Sequence, residues 1–350
     1  MAPHNREPPT RGPVEAHRKP PPDTLPVRAT PRFVSFCFCL LLAAGQLAVG
    51  QIENSGFPVL QLAPSARSAA MGGSDTALEE TGSSALFTNP ALLSERAHGG
   101  LSFSYLNHLS DINAGWVTYG RHIEGRGSFA AGIRYLSFGQ FDERNELGEK
   151  TGTFSASDVA LTVGGARAWK RGIRYGASLS LMHASLASNG ASGAGLDAGV
   201  YYDDASHGQS FGVSVHNLGV VFNSVGERSD TLPLDLRVGY ARQLAHLPLT
   251  VSVTGHRLHR LDGGPDDAGA LARILYHVRL GGEFRFSEAF SVRFGYDHRQ
   301  HDELRVKSRL DMAGFSTGLG LKVSRFAFDY GYNSWSSLGG LHRFSVSTTL

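Results

Sequence analysis

The feature that most constrains this chain is an alternation of apolar with small or polar residues that recurs from about residue 98 to the C-terminus. Each run is roughly ten residues long and has the period-2 pattern of a strand with one apolar face. Helical spacing is almost absent between the runs. The fourteen runs are 98–107, 113–122, 127–138, 156–168, 172–183, 193–203, 209–217, 232–243, 248–257, 275–287, 289–299, 313–323, 325–334 and 340–350. The sequence therefore predicts an all-β fold.

Three observations favour a membrane barrel over a soluble sandwich. Connections after even-numbered strands are short, such as Glu288 and Ser324, whereas several of the others are long, such as 258–274 and 300–312. Glycine recurs on the polar faces, where it permits curvature and close packing inside a barrel. The chain ends in an amphipathic strand, 340–350. We predict a 14-stranded antiparallel transmembrane β-barrel over 98–350, with apolar faces toward lipid and no open edge in the hydrocarbon.

The first 50 residues have the character of a removable leader. An uncharged stretch with an apolar core at 33–49 follows two arginines and ends in small residues, which predicts a secretory signal peptide cleaved after Gly50. A permanent membrane anchor is the alternative, but a bilayer span needs about 20 apolar residues. Both cysteines, Cys37 and Cys39, lie in this leader, so the mature chain would contain no disulfide and no thiolate metal ligand.

Residues 51–97 do not follow the strand pattern. Their composition and the turn Asn89-Pro90-Ala91 predict short helices and tight turns. Several large apolar side chains in this segment require burial: Leu60, Leu62, Leu86, Phe87, Leu92 and Leu93. We predict a small N-terminal plug or hatch inside the barrel mouth, and a loose periplasmic extension is the alternative.

Several sequence blocks carry a resemblance to a known family. SARSAAMGGS at 65–74 and LFTNPALL at 86–93 resemble the N-terminal signature of the FadL-like barrels of the PorV and PorQ group. The blocks at 101–122 and 129–161 are similar to PorQ within that group. The resemblance implies an outer-membrane component of the type IX secretion system. Its expected partners are outer-membrane lipid, a PorZ-like surface protein and the PorU/PorV-like cargo attachment complex, and no cofactor is expected.

A set of charged residues falls on the inward-facing positions of the predicted strands. Residues of both signs can neutralise one another across a narrow interior, so ion pairs that fix the plug are the favoured interpretation. A charged path for a solute is the alternative. The candidate lumen charges are Asp235, Arg237, Arg279, Glu283, Arg285, Arg293, Asp297 and Asp329.

Acidic residues cluster in the predicted loop 139–155. They lack the alternating ligands and central glycine of a calcium loop, so we predict a solvated loop that contacts a partner. The candidate partner-loop residues are Asp142, Glu143, Glu146 and Glu149. Predicted loops at 218–231, 258–274 and 300–312 would lie on the same side. The histidine pairs His256/His259 and His298/His301 are too few to converge as a metal site, and none is predicted.

The charge balance and the missing motifs argue against several classes of function. With 33 basic and 31 acidic residues, the chain offers no concentrated positive surface for nucleic acid. Phosphate-binding loops and nucleophile motifs are not found in the sequence, so no enzymatic activity is predicted. The leading hypothesis is a non-enzymatic docking protein of type IX secretion. The alternative is a FadL-like transporter of hydrophobic compounds, with 51–97 as a movable hatch.

Overall fold

The computed structural model describes residues 56–79, 82–107, 111–223, 231–261, 269–306, 311–336 and 339–350. Fourteen antiparallel strands form a closed barrel in which each strand pairs with its neighbours in sequence and the first pairs with the last. The strands are β1 Gly100–Asn107, β2 Asn113–Ile123, β3 Gly127–Arg144, β4 Lys150–Ala168, β5 Ile173–Leu186, β6 Asn189–Asp204, β7 Gln209–Asn223, β8 Asp235–Gln243, β9 Leu249–Gly255, β10 Val278–Arg285, β11 Phe290–Asp297, β12 Phe315–Val323, β13 Phe326–Ser334 and β14 Gly340–Thr349. The predicted fold class and strand number are confirmed, whereas the predicted signal peptide lies outside the described residues.

The two faces of each strand differ in the way expected for a membrane barrel. In β1, Phe103 is 50% exposed on the outer face while Ser104 is 2% exposed on the inner face. The same inversion holds in β11, where Phe294 points outward and Arg293 is buried. A water-soluble protein would bury the aromatic and expose the arginine. The apolar outer surface is therefore suited to lipid.

The N-terminal segment lies inside the barrel as a plug, which we define as residues 56–79 and 82–97. It contains one short helix, α1 Ala66–Ala70, whose N-terminal cap is the hydroxyl of Ser65, which accepts from the Ser68 N–H. The rest is built of 3₁₀ turns, two of which begin with a proline, at Pro58 and Pro90, where the missing N–H is not needed. No helix among the described residues is long and apolar enough to span a membrane.

Apolar side chains of the plug and of the barrel wall form one core. Phe57, Leu86 and Leu92 of the plug are fully buried and belong to the same cluster as Leu106 and Trp116 of the wall. Leu62 packs against this cluster while only partly buried. Burial of this many apolar groups is the main force that holds the plug in place.

The two ends of the barrel differ in their connections. At the end that carries both chain termini of the barrel, the turns contain two to five residues, and we call it the short-turn end. The opposite, long-loop end has three connections of 11 to 22 residues. Two of them contain helices that the sequence pattern did not predict, α2 Ala270–Tyr276 and α3 His298–Leu304.

The predicted loop 139–155 is wrong in its boundaries. β3 continues to Arg144 and β4 begins at Lys150, so that only a five-residue turn, 145–149, separates them. Pairing of β3 with β2 ends at Ser137, and pairing of β4 with β5 begins at Ala156. Beyond those points the two strands pair with each other and leave the barrel wall as a two-stranded β3–β4 ribbon, residues 140–155.

Candidate functional site

Glu283 on β10 joins the plug to the wall at the short-turn end. Its carboxylate accepts from the Nε of Arg67 in α1 at 2.8 Å and from the Nε of Arg293 on β11 at 2.7 Å. Arg285 adds a third contact at 3.0 Å, and Arg293 also donates to Asp329 at 2.5 Å. Four of the candidate lumen charges thus lie together. Arg67, which sequence reasoning did not include, belongs to the same network.

The other four candidate lumen charges form two pairs nearer the long-loop end. The Nε of Arg237 donates to Asp235 at 2.6 Å, and the Nε of Arg279 donates to Asp297 at 2.8 Å. Asp235 also accepts the backbone N–H of Arg257 at 2.6 Å, which fixes the start of the connection between β9 and β10. Every candidate charge on the inner face is therefore paired with an opposite one.

A polar vestibule opens at the short-turn end. It has a volume of about 910 Å³ and is lined by hydroxyl and charged side chains, including Arg67, Glu79, Glu283 and Arg293. The floor of the vestibule is the plug.

The turn Asn89-Pro90-Ala91 anchors the plug to the middle strands. The Asn89 side chain accepts from the Ala91 N–H at 3.0 Å and donates to the carbonyl of Thr76 at 3.0 Å, so that it ties two parts of the plug together. It is fully buried. Its amide oxygen lies directly over Gly199 of β6, where any Cβ would overlap it.

Two buried arginines on the inner face were not among the candidate residues. Arg134 on β3 lies 4.7 Å from the ring centroid of Phe87, and Arg343 on β14 lies 4.9 Å from that of Trp116. Each guanidinium is thus held over an aromatic face inside the apolar core. The alternating sequence pattern predicts that both arginines face inward, but it does not indicate their aromatic partners.

The β3–β4 ribbon is a well-ordered projection at the long-loop end. Phe141 and Phe154 stack with ring centroids 5.4 Å apart, and Lys150 and Arg144 both bind Asp142, at 2.6 and 3.1 Å. In its tip, the side-chain oxygen of Asn145 accepts two backbone N–H groups, from Leu147 at 3.0 Å and Glu149 at 2.9 Å. The candidate residues Asp142 and Glu143 lie in β3, whereas Glu146 and Glu149 lie in the tip.

The tip of the ribbon exposes one large apolar side chain among charged ones. Leu147 at the tip is 84% exposed. The ribbon also carries four carboxylates, Asp142, Glu143, Glu146 and Glu149, and the two basic side chains Arg144 and Lys150.

The candidate histidines lie at the long-loop end in two separate places. His298 and His301 stack within α3, and His298 is 3.5 Å from Asp302. The ring centroid of His256 lies 6.2 Å from that of His277, a residue that sequence reasoning did not select. Over the part of the chain that the structure describes, no group of three or more metal-ligating side chains converges.

The buried histidines predict a dependence of stability on pH. Burial, followed by the nearby charge of Arg279, holds the pKa of His256 well below its usual range, and burial also lowers the pKa of His277. The folded protein therefore binds fewer protons than the unfolded chain below about pH 6.5. We expect full stability above that pH and a loss as the pH falls further.

The measurement is the urea midpoint of the detergent-solubilised barrel between pH 8 and pH 5. The variant His256→Gln should lose less stability on acidification than the parent, because one buried group no longer has to gain a proton. His246→Gln, at an exposed position in the turn between β8 and β9, is the control. Equal acid sensitivity of all three proteins would show that protonation of His256 does not cause the loss of stability.

The fold is similar to those of several solved structures. The P. putida toluene transporter TodX aligns with a TM-score of 0.55 at 13% identity, covering 82% of this chain and 98% of that chain. A Pseudomonas aeruginosa FadL homologue aligns with a TM-score of 0.50 at 11% identity, covering 81% and 98%. The class defined by the fold is thus the FadL-like β-barrel.

The sequence identifies the family within that class. The sequence model described as "Type IX secretion system protein PorV" matches residues 49–241, more than half of the chain. The chain belongs to the PorV family of type IX secretion proteins. Among curated protein sequences, none matches this chain.

Proposed function

We propose that this protein is a docking component of type IX secretion. In this proposal it is a PorQ-like member of its family, exported through a signal peptide within residues 1–50. The long-loop end faces the outside, as the longer loops of outer-membrane barrels do. There the barrel holds a PorZ-like surface protein within the cargo attachment complex, and it has no enzymatic activity.

The observation that carries the proposal is the β3–β4 ribbon. Its five strand pairs from Gln140↔Ser155 to Arg144↔Lys150 extend beyond the neighbouring strands by roughly 17 Å at the usual rise per residue. Ion pairs to Asp142 and the capped turn at Asn145 fix its shape before any partner arrives. A preorganised projection loses little conformational entropy on binding.

The packed interior is the reason to place transport second. In a FadL-like transporter, a hydrophobic solute would need an apolar pocket between plug and wall. Here that space is occupied by a continuous apolar core that includes Phe57, Leu86 and Trp116. The vestibule at the short-turn end is lined by polar side chains. Uptake of toluene into liposomes that contain the barrel, at a rate above that of empty liposomes, would favour the transporter.

The test of docking is co-purification from detergent-solubilised outer membranes. Replacing residues 140–155 with an Asn-Gly turn should lower the recovery of the surface partner at least tenfold, measured by quantitative mass spectrometry. A milder variant, Glu146→Lys with Glu149→Lys, keeps the ribbon and should lower recovery in the same direction. A heat-dependent shift in gel mobility reports that the barrel is still folded.

Glu288→Lys is the matched control, because Glu288 is an exposed carboxylate in the turn between β10 and β11, at the short-turn end. Its partner recovery should equal that of the unmodified protein. Undiminished recovery from a folded barrel that lacks the ribbon and the three long loops would overturn the proposal.

A further inference from the structure

A small cavity lies inside the barrel at the long-loop end, apart from the ribbon and from the vestibule. Its volume is about 50 Å³, room for a few water molecules or one small polyatomic anion. Six parts of the chain surround it: the plug at Leu60 and Gln61, β7 at Asn217, the start of β8, the connection after β9, β10 at Arg279, and α3. Such a convergence is how a binding site is built.

Basic side chains predominate among the charged residues that line this cavity. Four arginines line it, Arg237, Arg257, Arg279 and Arg299, and one carboxylate, Asp235. Three of the guanidinium groups are oriented by carboxylates through their Nε atoms: Arg237 by Asp235, Arg279 by Asp297, and Arg299 by Glu303 at 2.7 Å. Each of these still has its two terminal amino groups as donors.

A buried histidine, His256, also indicates a ligand in this cavity. The residue is fully buried and lines the cavity. Within the described residues, neither of its ring nitrogens has a hydrogen-bond partner. A neutral imidazole has one N–H donor and one acceptor nitrogen, and leaving a buried donor without a partner is unfavourable. Buried polar groups of this kind are usually satisfied by something that occupies the adjacent space.

We infer that this cavity binds a small tetrahedral oxyanion of the size of phosphate or sulfate. Its oxygens would accept from the arginine amino groups and from the His256 N–H, so that one ligand meets several buried donors at once. The side chains that form the site point into the barrel, away from the lipid-facing surface. The ligand is therefore a free ion and not the phosphate of a lipid headgroup.

The site also has a structural consequence for the long-loop end. The anion would bridge the plug, the β9–β10 connection and α3. Strand pairing does not connect these three segments to one another. We expect sulfate to raise the thermal midpoint of the folded barrel and to slow hydrogen exchange in α3. Chloride at equal ionic strength should do neither, because a monatomic ion cannot contact all the segments that line the cavity.

The experiment uses the full-length barrel in a zwitterionic detergent at low ionic strength. Sulfate and phosphate binding are measured by isothermal titration calorimetry, and crystals soaked in selenate are examined for an anomalous peak in the cavity. Arg299→Gln and His256→Gln should each weaken binding at least tenfold. The matched controls Arg242→Gln and His246→Gln, both exposed at the short-turn end, should leave it unchanged.

Several outcomes would overturn the inference. They are the absence of a selenate peak, equal binding by parent and cavity variants, equal stabilisation by chloride, and phosphate density that appears only when phosphatidylglycerol is added. The Arg299 side chain is 23% exposed, so Arg299→Gln tests the site even if His256→Gln fails to fold. These results leave the docking proposal untouched, because the ribbon is a separate structure.

Discussion

Glu283→Gln is expected to cause a large loss of stability. The carboxylate accepts from Arg67 and Arg293 while only 4% of its side chain is exposed. Its removal leaves buried guanidinium groups without their main counter-charge, and breaking one side of a buried ion pair costs about 3–5 kcal/mol. We expect the free energy of unfolding to fall by that amount, measured by urea titration in detergent.

The control for this variant is Glu288→Gln, which changes an exposed carboxylate five residues further along the chain. It should leave the urea midpoint unchanged. The double variant Arg67→Gln with Glu283→Gln should be more stable than the sum of the single losses predicts, because it removes both partners of the pair. If Glu283→Gln and Glu288→Gln have the same urea midpoint, the network does not hold the plug.

Gly295→Ala is expected to dislodge the plug from the wall. An added Cβ at this position in β11 would lie 2.2 Å from the backbone nitrogen of Gly72 and 2.3 Å from the carbonyl carbon of Met71. Neither atom belongs to a flexible side chain, so the plug itself must move. Overpacking of a tight interior typically costs 1–3 kcal/mol, and contact with backbone places this case at about 3 kcal/mol or more.

Limited proteolysis is the readout for Gly295→Ala, since a displaced plug exposes cleavage sites at the short-turn end. Gly115→Ala is the control. Gly115 is also a strand glycine, but an added Cβ there would meet its nearest neighbour, the Ser104 carbonyl oxygen, at 3.8 Å, which is ordinary contact. A protease pattern for Gly295→Ala identical to that of Gly115→Ala would show that the plug is not seated on β11.

The barrel could be predicted from sequence because its signal repeats. Alternation such as Phe103, Ser104, Tyr105 is imposed by two different solvents, lipid outside and a narrow interior inside, and this constraint applies to every strand. The inward position of Glu283 or Arg293 follows from the same periodicity. Its partner in the plug, Arg67, does not, because a contact between residues 216 positions apart leaves no local trace.

The errors at the long-loop end have physical causes. In the ribbon, the charged residues from Asp142 onward resemble a loop, although pairing between the two strands keeps them extended. Helices α2 and α3 contain seven residues each, too short for an amphipathic pattern and too short to be stable alone. The cavity around His256 depends on six chain segments, and no single segment of the sequence indicates it.

Closure of the barrel sets the order in which the protein can fold. Gly100 pairs with Thr349, and the Leu350 N–H donates to the carbonyl of Gly99 at 2.9 Å, so the seam joins the two ends of a 250-residue stretch. The plug adds a longer span, since the Ala66 N–H donates to Ser345. Contacts this distant in sequence form slowly. The first and last strands must therefore both be present before the cylinder can be sealed, and until then the free edges of β1 and β14 remain open to pairing with other strands.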